Sequence, residues 1–299
     1  MTPAAAAAEP LCLLAVHAHP DDESSKGAAT VARYAAEGVR TVLVCCTGGE
    51  EGDILNPAMD RPEVRADLPA VRAAELARAA ELIGYHEVAM LGYRDSGMAG
   101  TDANRAAGCF AAADLDEAVG RLVAHIRRAR PQVVVTYSDQ QQGYPHPDHL
   151  RVHEISVLAF ERAGDADAHP DAGPPWAPAK LYYSVWSRAR VQAVHEKFLE
   201  LGLVSPYADW WRDRPDQDHR ITTRIDVSAH ADVRRAALLA HATQIDPTSP
   251  FWFGLPAEVA RTVHPYDEYV LARDRTSTGP AGAAAEDDLF AGLRAGPVR

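Results

Sequence analysis

Residues 11–23 read LCLLAVHAHPDDE, an apolar run from Leu11 to Val16 that stops at two histidines, a proline and three carboxylates. A short run that is apolar at every position belongs to a strand buried on both faces, the condition met in parallel sheets covered by helices. The period then changes. From Gly27 to Glu37 the residues Ala28, Val31, Ala32 and Ala35 recur at helical spacing, and Val39 to Cys46 is strand-like again.

The alternation continues outward from this segment. A break rich in Gly and Pro covers Thr47 to Pro62, and a helix is expected from Leu68 to Ile83 with a strand from Val88 to Leu91. A loop from Tyr93 to Cys109 precedes a helix from Leu115 to Ala129 and a strand from Val133 to Tyr137. Repeated βαβ units predict an α/β fold, Rossmann-like, with a mostly parallel sheet and helices on both faces. Ligands bind such sheets beyond the carboxyl ends of the strands. The polar clusters fall there: HPDDE at 19–23, TGGEEGDILNP at 47–57, GYRDSG at 92–97 and SDQQQGYPHPDH at 138–149. Residues 10–160 are therefore expected to form the core that carries both His/Asp motifs.

The later half is less regular. Helices are expected at 149–163, 188–203 and 229–241, and strands at 180–185 and 266–271, so that residues 161–273 complete the fold and the pocket. An aromatic segment at 207–214 and Phe251–Trp252–Phe253 in a loop remain without a helical or strand pattern. Trp210, Trp211 and Trp252 are expected over a pocket, at a homo-oligomer interface or in the core. Residues 274–299 read as a tail, with a short helix or disorder.

The formal net charge of −12 disfavours nonspecific binding to nucleic acid, which depends on cations neutralising phosphates. The short run Arg127, Arg128 and Arg130 is expected to complement the dipole at a helix end. Nothing approaches an apolar run of 18 residues, so no membrane span is expected, and the opening MTPAAAAAEP reads as a disordered leader without a secretion signal. Cys12, Cys45, Cys46 and Cys109 fall in no disulfide or zinc-knuckle spacing, which suits a reducing, cytoplasmic compartment.

Two clusters carry chemistry. His19, Asp21 and Asp22 directly follow a strand, and Pro20 restricts the backbone between them. One aspartate suits a metal ion while its neighbour faces the attacking water as general base. In His146–Pro147–Asp148–His149, His149 offers a third ligand in a His2Asp set with an open position. His146 is then free to donate to an oxyanion, with Asp148 placed to orient it. Each cluster alone is as readily a cap or surface feature; two clusters at strand ends of one sheet make a site the better reading. His17, His125, His153 and His195 lie in ordinary strand or helix pattern and are assigned structural roles. A G-x-G-x-x-G turn is missing after the first strand, and carboxylates there repel a pyrophosphate, which argues against a dinucleotide enzyme. A receiver-type signalling domain shares the acidic pair but not the second cluster, and is much shorter.

AHPDDE (18–23) and HPDH (146–149) resemble the LmbE-like, or PIG-L, deacetylase superfamily. The resemblance implies a zinc hydrolase of amide bonds with one Zn²⁺ per subunit, a donor set that also admits Fe²⁺. It implies His19, Asp22 and His149 as ligands, Asp21 as base, His146 near the oxyanion, Asp148 as its support and Tyr144 as a donor to substrate. HAHPDDESSKGAAT, GGEEGDILNPAMD, GYPHPDH, KLYY and HATQIDP are similar to the branch that cleaves mycothiol S-conjugates, small pseudodisaccharide thiol conjugates, into glucosaminyl-inositol and an N-acetylcysteine S-conjugate. The sister branch deacetylates N-acetylglucosaminyl-inositol. Lys26, in SSKG, matches the amidase branch and is expected to contact the thiol-conjugate part. Arg72 and Asp95 resemble positions that bind inositol hydroxyls, and Glu50 is expected at the sugar, at the metal or in a turn.

Overall fold

The computed structural model describes residues 10–210, 214–276 and 285–294. Residues 1–9 of the expected leader, and Trp211, lie outside the described residues. In chain order the elements are β1 (Cys12–His17), α1 (Asp22–Ser25), α2 (Ala28–Ala36), β2 (Arg40–Thr47), α3 (Pro62–Ala66), α4 (Leu68–Ile83), β3 (Glu87–Tyr93), α5 (Leu115–Ala129) and β4 (Val133–Tyr137). They continue with α6 (Pro147–Arg162), β5 (Lys180–Val185), α7 (Arg188–Glu200), β6 (Thr223–Asp226), α8 (Ala231–Ala240), α9 (Pro250–Phe253), α10 (Ala257–Val263) and β7 (Tyr266–Asp274).

One seven-stranded sheet runs β3-β2-β1-β4-β5-β7-β6. β1 to β5 pair in parallel, and β7 is antiparallel to both β5 and β6. The expected α/β architecture is thus present, and β5, β6 and β7 extend the same sheet. Every residue of β1 is buried because both faces are covered. Cys12, Leu14 and Val16 pack with Val119, Leu122 and Ile126 of α5 and Ile155 of α6. Leu13 and Ala15 face the opposite layer with Val31 and Tyr34 of α2, Ile83 of α4 and Ala237 of α8. Cys45 and Cys46 point to opposite faces, as alternation along a strand requires. The chain leaves β1 toward β2 on one side, while β4 lies on the other, so the order reverses between β1 and β4. Loops depart in opposite directions there and leave a crevice at the strand ends. Among the described residues no helix is long and apolar enough to cross a membrane.

The structure departs from the sequence pattern in several places. The FWF stretch forms the short helix α9, not a loop. β6 was not anticipated: it has four residues, alternately buried and exposed, at the sheet edge. Arg127 does more than face a helix dipole. Its buried guanidinium donates to the carbonyls of Ala163, Asp165, Ala168, His169 and Gly173, which bolts the connection after α6 to α5.

The expected tail is also corrected, because residues 285–294 dock on the fold. Glu286 bridges Thr223 of β6, accepts from Tyr182 Oη at 2.9 Å and pairs with the buried Lys180 at 3.2 Å. Leu289 and Phe290 are fully buried beside Tyr34 and Tyr182. Phe290→Ala should therefore destabilise the protein by about 3–5 kcal/mol, as for other buried Phe truncations. Urea unfolding measures this, and a loss below about 1 kcal/mol would mean that the segment does not dock in solution.

Candidate metal centre

After β1 the chain turns so tightly that Asp21 takes φ 117° and ψ −26°, in the left-handed region. A non-glycine residue stays there only when its surroundings impose it, at a cost on the order of 1–3 kcal/mol. Two buried side chains hold the turn. Glu23 Oε2 accepts from the Asp21 amide at 2.9 Å, and Arg72 donates to the Pro20 carbonyl at 2.6 Å and to Asp21 Oδ2 at 3.1 Å. Arg72 also donates to the Gly49 carbonyl at 2.5 Å, and a side chain at Gly49 or Gly52 would collide with its guanidinium. Glu23 is in turn fixed by His241, whose Nε2 lies 2.6 Å from Oε1, with both residues fully buried. Burial alone would raise the Glu23 pKa, but the His241 charge and hydrogen bond hold it below the usual value.

The turn aims His19 and Asp22 at His149 in the first turn of α6. The three offer ligand atoms within 4.8 Å of one another. Asp22 Oδ2 lies 3.4 Å from His19 Nδ1 and 3.4 Å from His149 Nε2. Burial drives the His149 pKa down to about 4, which leaves a neutral imidazole lone pair. Burial opposes the Asp22 anion, yet the Lys26 ammonium 2.5 Å away, together with His149 and His19, keeps its pKa well below the usual range. A neutral imidazole and an anionic carboxylate are the forms that metal binding requires. Burial disfavours the charged form of His19, but Asp148, Asp22 and Asp95 raise its pKa well above the ordinary value. Such a carboxylate cluster attracts positive charge, so the residues fit a divalent cation. A second set, His19, Asp95 and His146, satisfies the same distance condition and shares His19.

Asp148 departs from its expected role. Its carboxylate is fully buried and lies 3.1 Å from His19 Nε2, and it accepts from the Ser96 amide at 2.9 Å and from the Ser96 hydroxyl. It therefore orients His19, not the His146 ring. His146 caps α6 instead: its Nδ1 accepts from the Asp148 amide at 3.2 Å. With Nδ1 accepting, a neutral His146 carries its proton on Nε2.

These groups open on a cavity of about 640 Å³. Asp21 borders it, and burial pushes its pKa up to about 6 even though Arg72 opposes the shift. Tyr144, half exposed, lines the cavity with its ring 5.3 Å from that of His149. Lys26, Arg72 and Asp95 also line it, although Lys26 and Arg72 are engaged with Asp22 and Asp21. Arg72 is only 2 % exposed. Asp95 accepts from the Gly97 amide at 2.8 Å and lies 3.5 Å from His19 Nε2. Glu50 is absent from the lining; its carboxylate accepts from the Asp95 amide at 2.9 Å and supports that turn. Ser96, His241 and Trp186 were missed by sequence reading. His241 stood in the quoted HATQIDP stretch without a role.

Residues 14–160 match the PIG-L family profile, described as GlcNAc-PI de-N-acetylase. Mycothiol S-conjugate amidase of Streptomyces coelicolor is 44 % identical over 293 residues, covering 95 % of this chain and 98 % of that protein. The chain belongs to the PIG-L family. A second PIG-L relative, the 1D-myo-inositol 2-acetamido-2-deoxy-alpha-D-glucopyranoside deacetylase of Streptomyces avermitilis, is 43 % identical and covers 94 % of this chain and 97 % of its own length. N,N'-diacetylchitobiose deacetylase from Pyrococcus horikoshii shares the fold, with a TM-score of 0.59 at 15 % identity over 88 % of this chain and 84 % of that one.

The Glu23–His241 pair makes a separate claim about stability. Removing one partner of a buried ion pair strands the other charge, so His241→Ala should cost about 3–5 kcal/mol in chemical unfolding. A change under about 1 kcal/mol would show that the pair is not buried in solution.

Proposed function

We propose that this chain is a zinc-dependent amidase that hydrolyses the amide of mycothiol S-conjugates, yielding glucosaminyl-inositol and an N-acetylcysteine S-conjugate. The observation that carries the reading is the His19–Asp22–His149 group with Asp21 beside it, all on one cavity. The S. coelicolor relative supports the substrate class. His19, Asp22 and His149 would hold the ion, and the mixed nitrogen and oxygen set suits Zn²⁺ while admitting Fe²⁺. When bound, the ion supplies an acidified water and polarises the amide carbonyl.

The chain's own residues do the rest. Asp21, made more basic by partial desolvation in the cavity wall and aimed by Arg72 and Glu23, takes a proton from the attacking water and returns it to the departing sugar amine. His146 donates its Nε2 proton as a hydrogen bond to the carbonyl oxygen as negative charge develops there, and Tyr144 assists from the cavity mouth. Asp148 and Ser96 fix the His19 ring. Arg72 and Asp95 face the polyol half of the substrate from the β2 and β3 side, and Lys26 steadies Asp22 at the cavity edge. The active protein is placed in the cytoplasm, where the conjugates would be its small-molecule partners.

Deacetylation of N-acetylglucosaminyl-inositol is the second reading, supported by the S. avermitilis relative. The two reactions share the sugar amine and differ in the acyl group. With zinc-loaded protein, kcat/KM should favour the S-conjugate over the acetamide, and a reversed ratio would make the protein a deacetylase. Elemental analysis should find about one divalent ion per chain in the wild type. His19→Ala and His149→Ala should weaken binding by more than the roughly 10–100-fold typical of outer-shell changes. Asp21→Asn should keep the metal and lower kcat by about 10²–10⁴; near-normal turnover would remove Asp21 from the base role.

A further inference from the structure

The sheet order β3-β2-β1-β4-β5 spreads two kinds of surface along the rim of the cavity. On the β2 and β3 side stand Glu51, Asp53, Arg72 and Asp95; the metal group sits at β1 and β4; and the carboxyl end of β5 brings Trp186. Around Trp186 the ring of Phe251 lies parallel at 6.0 Å and 10°, Trp210 stacks at 6.1 Å and 21°, and Trp252 stands perpendicular at 6.1 Å and 89°. All four line the same cavity as His19 and Asp21, and none has a part in the hydrolytic steps.

Resting on the amidase reading, we propose that this aromatic wall is the subsite for a planar aromatic substituent carried on the sulfur of the conjugate. A substrate whose amide lies over the β1–β4 junction must send its two halves in opposite directions along the rim. The polyol half has little apolar surface and suits the carboxylates and Arg72, which leaves the acyl half to the β5 side. An acetyl group is too short to use a wall of four aromatic rings, whereas an aryl group on sulfur can pack against the ring edges and faces that are turned to the cavity. A second cavity of about 170 Å³ lies against Trp186, Phe251 and Trp252. Trp186, Phe251 and Trp252 therefore border open space on a second side as well.

The test compares S-benzyl and S-methyl conjugates of the same pseudodisaccharide thiol with metal-loaded protein. The benzyl conjugate should have a kcat/KM about tenfold higher, expressed in KM. Trp186→Leu and Trp252→Leu should each bring the benzyl-to-methyl ratio toward one; Trp252→Leu carries the test if Trp186→Leu fails to fold. Independently of turnover, S-benzyl-N-acetylcysteine should quench the tryptophan fluorescence of the wild type at concentrations where the S-methyl compound does not. Equal kcat/KM for the two conjugates, or a preference that survives in the folded tryptophan variants, would overturn the subsite and leave the amidase reading intact. Hydrolysis of the acetamide with no hydrolysis of either conjugate would overturn the amidase reading and the subsite together.

Discussion

Three carboxylates, those of Asp22, Asp95 and Asp148, converge on His19 with Asp21 next to them in the turn, and holding these like charges together is the constraint that organises the site. Two unit charges 4 Å apart repel by about 4 kcal/mol at an effective dielectric of 20, so each carboxylate needs its own compensation. Lys26 answers Asp22, Arg72 answers Asp21, Ser96 satisfies Asp148 and the Gly97 amide satisfies Asp95. These partners come from the segments after β1 and β3 and from α4. The reversal of strand order between β1 and β4 is what lets the loops meet at all. What the cluster still favours is a cation among His19, Asp22 and His149.

Arg72 shows how tightly the arrangement is built. One guanidinium reaches the Pro20 carbonyl, the Gly49 carbonyl and the Asp21 carboxylate. It thereby ties the loop after β2 to the strained turn after β1, and the two glycines at 49 and 52 leave it room. The same contacts orient the proposed base and oppose the rise in its pKa. Glu23 works from the other side on the Asp21 amide, so that an unfavourable backbone conformation is over-determined by two buried charges.

The sequence made the convergence of the two motifs legible because each sits directly past an apolar strand, and a parallel sheet puts all such ends on one rim. Their ring partners were not legible. Asp148 lies beside His146 in sequence, but the first turn of α6 gives its backbone to His146 and its carboxylate to His19, 129 residues away. The Glu23–His241 pair spans 218 residues, and neither residue carries a local pattern that announces the other. β6 is too short to show a period, and Leu289–Phe290 is a brief apolar pair in a stretch rich in Ala, Gly and acidic residues, where composition masks two core side chains. Arg127 read as a cation at a helix end because its carbonyl partners belong to a connection with no regular structure.

Near-equal identity to an amidase and a deacetylase is what this division of the rim would produce. Both reactions cleave an amide on a sugar amine, so the proposed metal group, base and polyol side would serve either one. Discrimination must therefore fall on residues that meet the acyl group. Lys26 is a weak discriminator by itself, since its ammonium is committed to Asp22 and acts first on the metal group. The aromatic rings at the end of β5 and on α9 are under no such commitment to the chemistry. Trp186, Trp210 and Phe251 pack on the cluster of Val191, Phe198, Tyr207 and Leu255, not on His19, Asp22 or His149, and that separation makes the β5 side the place where one hydrolytic core can be fitted to a larger acyl group.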